Sequence, residues 1–301
     1  MQQRFILSAA LLALSTSTAF ADPLTVYGKG NVTFQSTDDG DGAFSEVKSN
    51  NSRVGFKGDY ELEDGFTAFY VFEFGVDLAD SSDGDNVKSR NQYIGLKGSA
   101  GSIMIGRNDT VLKKSQGKID QFNDYEADIK NLWKGENRMS DSVTYLSPSF
   151  NGFNVGFSYV AEDEKGGEDA QAISVSYGDS NLKKTQFYAA IATEMDMKGY
   201  DSTRASVQAK FDDLTVGAII HRQKPSTGGD SKDGVLVSAA YKLGKVTLKG
   251  QYQTLEDDNT TTIGADYKLG KNTKALAWYT SQGLENSKDK SWLAVGLEHK
   301  F

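Results

Sequence analysis

The chain has 301 residues with 33 Lys and Arg against 41 Asp and Glu, a formal charge of −8, 31 glycines, three prolines and no cysteine. The missing cysteines exclude a disulfide framework, and the two histidines, His221 and His299, stand far apart without carboxylates or thiols at ligand spacing, which argues against a histidine-built metal site. A mean hydropathy of −0.49 taken alone suggests a soluble polar protein, but a transmembrane barrel also averages out polar because each strand shows one face to lipid and the other to a watery lumen.

In chain order, Met1 to Ala21 comes first. It has a short polar head with Arg4, the apolar run "FILSAALLAL", and a close on "AFA" that puts Ala19 and Ala21 where signal peptidase prefers small residues. The apolar run is about half of the ~20 residues that a membrane-crossing helix needs. This predicts an export signal removed after Ala21, leaving residues 22–301 as a single domain with a formal charge of −9.

From there the segments alternate with period 2. In "LTVYGKGNVTFQ", Leu24, Val26, Val32 and Phe34 share one face, and Thr25, Lys29, Asn31, Thr33 and Gln35 the other. "FNVGFSYV", "LTVGAIIH" and "VTLKGQYQ" repeat the pattern. Sixteen such runs begin near residues 24, 51, 65, 89, 102, 140, 153, 170, 182, 200, 214, 233, 246, 259, 273 and 291. An even number of strands suits a closed antiparallel bacterial barrel. Short turns such as "EDG" (63–65), "SAG" (99–101), "NG" (151–152), "DD" (212–213) and "GK" (244–245) interleave with longer polar stretches such as "STDDGDGAFSEVKSN" and "QKPSTGGDSKDG". Pro23 precedes the first strand, Pro148 falls near a strand end and Pro225 in a loop. The run "RNQYIGLKG" places Ile94 and Leu96 in parity with Arg90 and Gln92, so it contains a bulge or has inward and outward faces reversed. The expected fold is all-β, a transmembrane antiparallel β-barrel of about sixteen strands. One segment breaks the rhythm: Thr110 to Met139 does not alternate and gathers acid in "KIDQFNDYEADIKNLW". Its length exceeds that of ordinary structureless connections, which points to function.

"YGKGNVTF", "SRVGFKG", "RNQYIGLKG", "GRNDTVLK", "NRMSDSVTYLSPSFNGF" and the terminal "GLEHKF", in this order over the whole mature chain, resemble the general diffusion porins of Gram-negative outer membranes. The resemblance implies a sixteen-stranded barrel, usually a homotrimer, whose third long loop folds into the lumen. It implies outer-membrane lipid and lipopolysaccharide as surroundings, the barrel assembly machinery as a partner that reads the C-terminal Phe301, and small hydrophilic solutes and ions as cargo. No cofactor, metal or nucleic-acid partner is expected.

On this reading residues 110–139 are a constriction loop, with Asp120, Asp124, Glu126 and Asp128 offering carboxylates to a narrow gap, Asp120 and Asp124 foremost. Lys29 and Arg53 have inward parity, and Arg90 and Arg138 match the basic wall positions of the family. Acid on the loop facing base on the wall would set up a transverse field. The Pro-Glu-Phe-Gly tip of enteric porins is replaced here by "DQFNDYEAD", which leaves open which acids face the lumen. Arg107 shares parity with Ile103 and Ile105 and suits a subunit interface or outer loop as well as the pore. Phe157, Tyr159, Tyr241, Tyr252, Tyr267 and Phe301 suit interfacial girdles, and Trp133 suits a pin for the loop. A solvated acidic surface loop, with or without a bound divalent ion, is the alternative for the loop, and strand capping is the alternative for Arg138. The expected function is passive diffusion through a water-filled channel; the alternative is a closed or plugged barrel acting as receptor or adhesin. An outer-membrane barrel enzyme needs a nucleophile, base and orienter, and His221 has no evident serine partner, so no enzymatic activity is expected.

Overall fold

The computed structural model describes residues 24–80, 86–162, 164 and 167–301. The expected export signal, its cleavage at Ala21 and Pro23 lie outside these residues. Wherever polar and apolar residues alternate, the chain is extended: β1 (Thr25–Asp38), β2 (Ala43–Ser49), β3 (Arg53–Glu61), β4 (Thr67–Val76), β5 (Val87–Gly98), β6 (Gly101–Asp109), β7 (Arg138–Leu146), β8 (Phe153–Val160), β9 (Ala170–Gly178), β10 (Phe187–Met197), β11 (Tyr200–Phe211), β12 (Leu214–Pro225), β13 (Lys232–Leu243), β14 (Val246–Leu255), β15 (Asp258–Lys268), β16 (Thr273–Gly283) and β17 (Lys290–Lys300). Sequence neighbours pair antiparallel around the sheet, and β1 pairs with β17 from Lys29↔Lys300 to Asp38↔Ser291, which closes it. A closed sheet leaves no unpaired edge, the condition for crossing a membrane with strands.

β2 and β3 share one partner: Val32–Asp38 of β1 pairs with β2 and Thr25–Lys29 with β3. Together they make one stave, so the barrel has sixteen. The break at Asn50–Ser52 is filled by side chains. Ser52 Oγ accepts from the Asn31 N–H at 3.0 Å, and Asn50 Nδ2 donates to Thr33 Oγ1 at 2.9 Å. This corrects the expected long polar loop over residues 36–50, because strand pairing with β1 leaves only residues 39–42 as the connection. The run expected from 182 begins at Phe187; before it, Asp179 folds the connection by accepting from the amides of Asn181, Lys183 and Lys184 at 2.9, 3.0 and 3.0 Å. Pro225 ends β12 opposite Tyr200 instead of lying in a loop, at a strand end where its missing N–H is tolerated. Tight turns also join β10 to β11 at residues 198–199 and β14 to β15 at residues 256–257, so short and long connections do not alternate strictly.

Burial runs opposite to that of a soluble protein. Ile220, Leu243 and Ile263 are 65, 63 and 63 % exposed, while Arg204, His221 and Gln253 are fully buried. The apolar parity of each strand faces outward and the polar parity faces the interior. Phe157, Tyr241, Tyr252, Tyr267 and Phe301 all lie on the exposed side. No helix among the described residues is long and apolar enough to cross a membrane.

Candidate functional site: a loop folded across the lumen

Between β6 and β7, residues 110–137 turn inward instead of continuing the hairpin. α1 (Val111–Ser115) opens the segment, with Thr110 Oγ1 accepting from the Lys113 N–H at 3.3 Å. A 3-10 turn at Ile129–Asn131 is capped by Asp128, which accepts from the Lys130 N–H at 3.0 Å. Apolar side chains then fasten the segment to the wall. Val111 packs among Val160, Ala170 and Met197; Ile119, Ile129 and Trp133 among Ile219, Leu236 and Leu255; and Phe122 and Tyr125 among Leu276, Trp278 and Trp292. Each such burial is worth about 1.5–3 kcal/mol.

Glycines of the wall shape the seats. A Cβ at Gly156 would stand 2.9 Å from Val111, at Gly217 2.7 Å from Ile119, at Gly234 2.6 Å from Trp133 and at Gly264 3.0 Å from Phe122. Any larger residue there would push the loop off the wall. Polar bonds lock the same contacts: Ser238 Oγ donates to Ile119 O at 2.6 Å, and Gln251 donates to Ala127 O at 3.0 Å while accepting from the Gln121 N–H at 2.8 Å. Both ends of the loop meet a single buried carboxylate. Thr110 Oγ1 and Asn137 Nδ2 donate to the two oxygens of Glu194, the latter at 2.8 Å.

With the loop held this way, a cavity of about 1210 Å³ remains, bordered by Lys29, Arg53, Glu73, Arg90, Asp109 and Arg138 on the wall and by Lys113, Lys114, Lys118, Asp124, Asp128 and Glu136 on the loop. Lys29 and Arg53 sit opposite each other in the β1–β3 register. Arg90 Nε donates to Glu73 at 2.6 Å, and Arg53 Nε lies 3.9 Å from the same carboxylate. Arg138 and Lys113 share Asp109 at 3.0 and 3.2 Å.

The four loop acids expected at the gap take different places. Asp124 borders the cavity and accepts from Lys29 Nζ. Burial works to raise its carboxyl, but the Lys29 ammonium holds it below the usual carboxylate range. Asp128 borders the cavity beside Lys130 at 2.8 Å, and burial pushes it up. Glu126 accepts from Lys48 of β2 and from Gln35 at 3.3 Å, away from the cavity. Asp120 is buried within the loop, where it accepts from the Phe122 and Ile129 amides at 3.0 and 3.1 Å. Burial, with Asp128 beside it, pushes its carboxyl up to about 8.

Arg90 reaches the interior through a bulge. Gln92 faces Phe72 and Ser89 faces Phe74, so Arg90 and Asn91 both oppose Glu73 and the strand's parity changes there. Arg138 begins β7 opposite Asp109, so the loop ends at residue 137. Arg107 donates to Ser140 Oγ at 2.9 Å and borders the cavity. His221 stacks on Trp133, and His299 Nδ1 lies 2.8 Å from Thr273 Oγ1. Sequence reasoning passed over Glu73, Asp109 and the loop lysines 113, 114 and 118. Glu73 had a signal, as the lone charge inside "TAFYVFEFGV". The lysines had none, since α1 and the turn after it have no strand parity to place them.

A polar lumen, an apolar outer face and an inward loop together describe a channel, and a family model for Gram-negative porins matches residues 8–288. The chain belongs to the Gram-negative porins. This porin is 28 % identical to the major outer membrane protein P.IB of Neisseria gonorrhoeae over 98 % of its own length and 99 % of the relative's. Among solved structures it resembles the anion-selective porin from Comamonas acidovorans (17 % identity, TM-score 0.72, covering 92 and 99 % of the two chains). It also resembles the Salmonella typhi OmpF complex with daunomycin (16 %, TM-score 0.73, covering 93 and 98 %) and the trimer form of Vibrio cholerae OmpT (15 %, TM-score 0.64, covering 92 and 99 %). This porin resides in the cell outer membrane and forms a channel for passive diffusion, and its family consists of channels, not enzymes.

Proposed function

We propose that the controlling passage of this channel is the gap between loop residues 110–137 and the wall of β1 and β3–β7, and that ions and small hydrophilic solutes cross there without any covalent step. The observation that carries this is the Lys29–Asp124 contact, which ties the loop to the wall at the edge of the open cavity. Lys29, Arg53, Arg90 and Arg138 on the wall, with Asp124 and Asp128 on the loop, then set the field that solutes meet. Asp120 and Glu126 serve instead to hold the loop. The mature chain begins after Ala21, assembles as a homotrimer in lipid and lipopolysaccharide, and presents Phe301 to the assembly machinery. The trimer reading is supported by the trimer form of a structural neighbour.

Single-channel recording of the purified protein in a planar bilayer tests this. Current steps grouped in threes are expected. A silent bilayer from protein whose folding is confirmed by heat-dependent gel mobility would favour a plugged receptor; the cavity beside the loop speaks for the channel.

A further inference from the structure

The whole chain is acidic, with 41 Asp and Glu against 33 Lys and Arg. The passage has the opposite sign. Among the described residues, thirteen Lys and Arg side chains border the cavity against seven Asp and Glu. Most of the acid therefore lies away from this cavity, while its lining carries an excess of base.

Most of the bordering carboxylates are already engaged by cations. Glu73 is shared by Arg53 and Arg90, and Asp109 by Lys113 and Arg138, so in each group two cations meet one anion. Asp124 is held by Lys29, and Glu136 by Arg204 at 2.7 Å. Lys130 pairs with Asp128 at 2.8 Å, and two further loop lysines at the cavity stand outside such pairs. Lys114 Nζ donates to the Asn108 side-chain oxygen at 3.2 Å, and Lys118 is exposed with its ammonium free of any hydrogen bond or ion pair. Lys118 lies within electrostatic reach of Arg53, Lys300 and Asp124, and Lys114 within reach of Arg138 and Asp109. The segment that gathers acid in the sequence thus turns its acids to pairing and anchoring and presents lysines to the opening.

We propose that this porin prefers anions, inorganic ones and small carboxylate- or phosphate-bearing solutes alike, and that Lys114 and Lys118 of the loop are specificity-determining residues. The inference rests on the passage proposed above. Cations that border a water-filled passage act on ions passing within a Debye length of them, about 8 Å at physiological salt, so an uncompensated excess of them lowers the barrier for anions and raises it for cations.

The test is the reversal potential of the purified protein in a planar bilayer with unequal KCl on the two sides. A reversal potential on the chloride side is expected. Lys118→Glu should lower the chloride-to-potassium permeability ratio about two-fold or more. Lys288→Glu, at an exposed loop tip where Lys288 pairs with Asp41, should leave the ratio unchanged. Lys118 has no side-chain partner, so its replacement spares the fold, and heat-dependent gel mobility checks this. Potassium preference or no preference in the unsubstituted protein overturns the proposal, as does a Lys118→Glu effect no larger than that of Lys288→Glu. Those outcomes leave the passage standing; only an absence of current steps from folded protein refutes the passage itself, and the proposal with it.

Discussion

Trp133 of the loop lies flat on His221 of the barrel wall, with ring centroids 4.7 Å apart and planes 11° from parallel. The indole N–H donates to Thr254 O at 2.7 Å, and the Arg204 guanidinium stands 5.7 Å over the same ring. One side chain thus joins stacking, hydrogen bonding and cation–π contact in a buried seat. Truncating a buried Trp to Ala costs about 3–5 kcal/mol, and here the loss falls on the attachment of the loop. Trp133→Ala is expected to raise open-channel current noise and lower the thermal denaturation temperature in detergent. Gly234→Val should do the same from the wall side, since its Cβ would meet the indole nitrogen at 2.6 Å. Quiet currents in both variants would mean that the pin is dispensable.

Asp124 and Asp120 are expected to respond differently. Asp124→Lys reverses a charge at the passage and frees Lys29, so it should shift the reversal potential further toward anions than Asp41→Lys, whose site is an exposed loop tip paired with Lys288. Asp120→Ala removes two amide acceptors inside the loop, each bond worth about 0.5–1.5 kcal/mol. It should destabilise the loop with little change in ion preference. Equal shifts from Asp124→Lys and Asp41→Lys would remove Asp124 from the passage.

Ion preference should depend on pH. Burial lowers the Lys114 ammonium to about 8, Asp109 pulling it up and Arg138 pushing it down. It is charged below that pH and neutral above it, so the preference for anions should weaken as pH rises through about 8, where an ordinary lysine would still be protonated. Asp120 gains its negative charge over the same window. Reversal potentials of Lys114→Gln separate the two, because this variant should lose the part of the pH response due to the lysine; an unaltered pH response would assign it elsewhere.

Barrel closure offers a fourth test. Gly28 donates to Phe301 O at 3.0 Å and accepts from the Phe301 N–H at 3.2 Å, and a Cβ on Gly28 would overlap the phenylalanine ring and come within 2.8 Å of Arg53 O. Gly28→Leu should therefore impair closure, at a cost of about 1–3 kcal/mol for overpacking. The reading is the fraction of heat-modifiable folded protein after refolding. A folded yield equal to that of the unsubstituted chain would show that the C-terminal ring moves aside freely.

Much of this was legible in the chain itself. Period-2 alternation depends only on neighbouring residues, so the strands, the tight turns, the outward apolar face and the inward parity of Lys29 and Arg53 could be read from "LTVYGKGNVTFQ" and its counterparts. The unusual length of the segment read as 110–139 marked the loop for the same local reason. β2 escaped because "AFSEVKS" pairs only by virtue of β1 extending to meet it, and the side chains of Asn50 and Ser52 that fill the break find their partners on β1. Arg90 turned inward only through a bulge opposite Glu73, a property of two strands together.

The loop marks the boundary most clearly. Sequence alone determined that an acidic, non-alternating segment interrupts a sixteen-stave barrel. Only the tertiary structure decided that Asp120 and Glu126 serve as anchors, that Asp124 meets Lys29, and that Lys114 and Lys118 face the opening. The physical reason is that a strand's pleat assigns each side chain a face in advance, whereas the course of the loop depends on where Val111, Ile119, Phe122 and Trp133 find room against glycines 45 or more residues further along the chain.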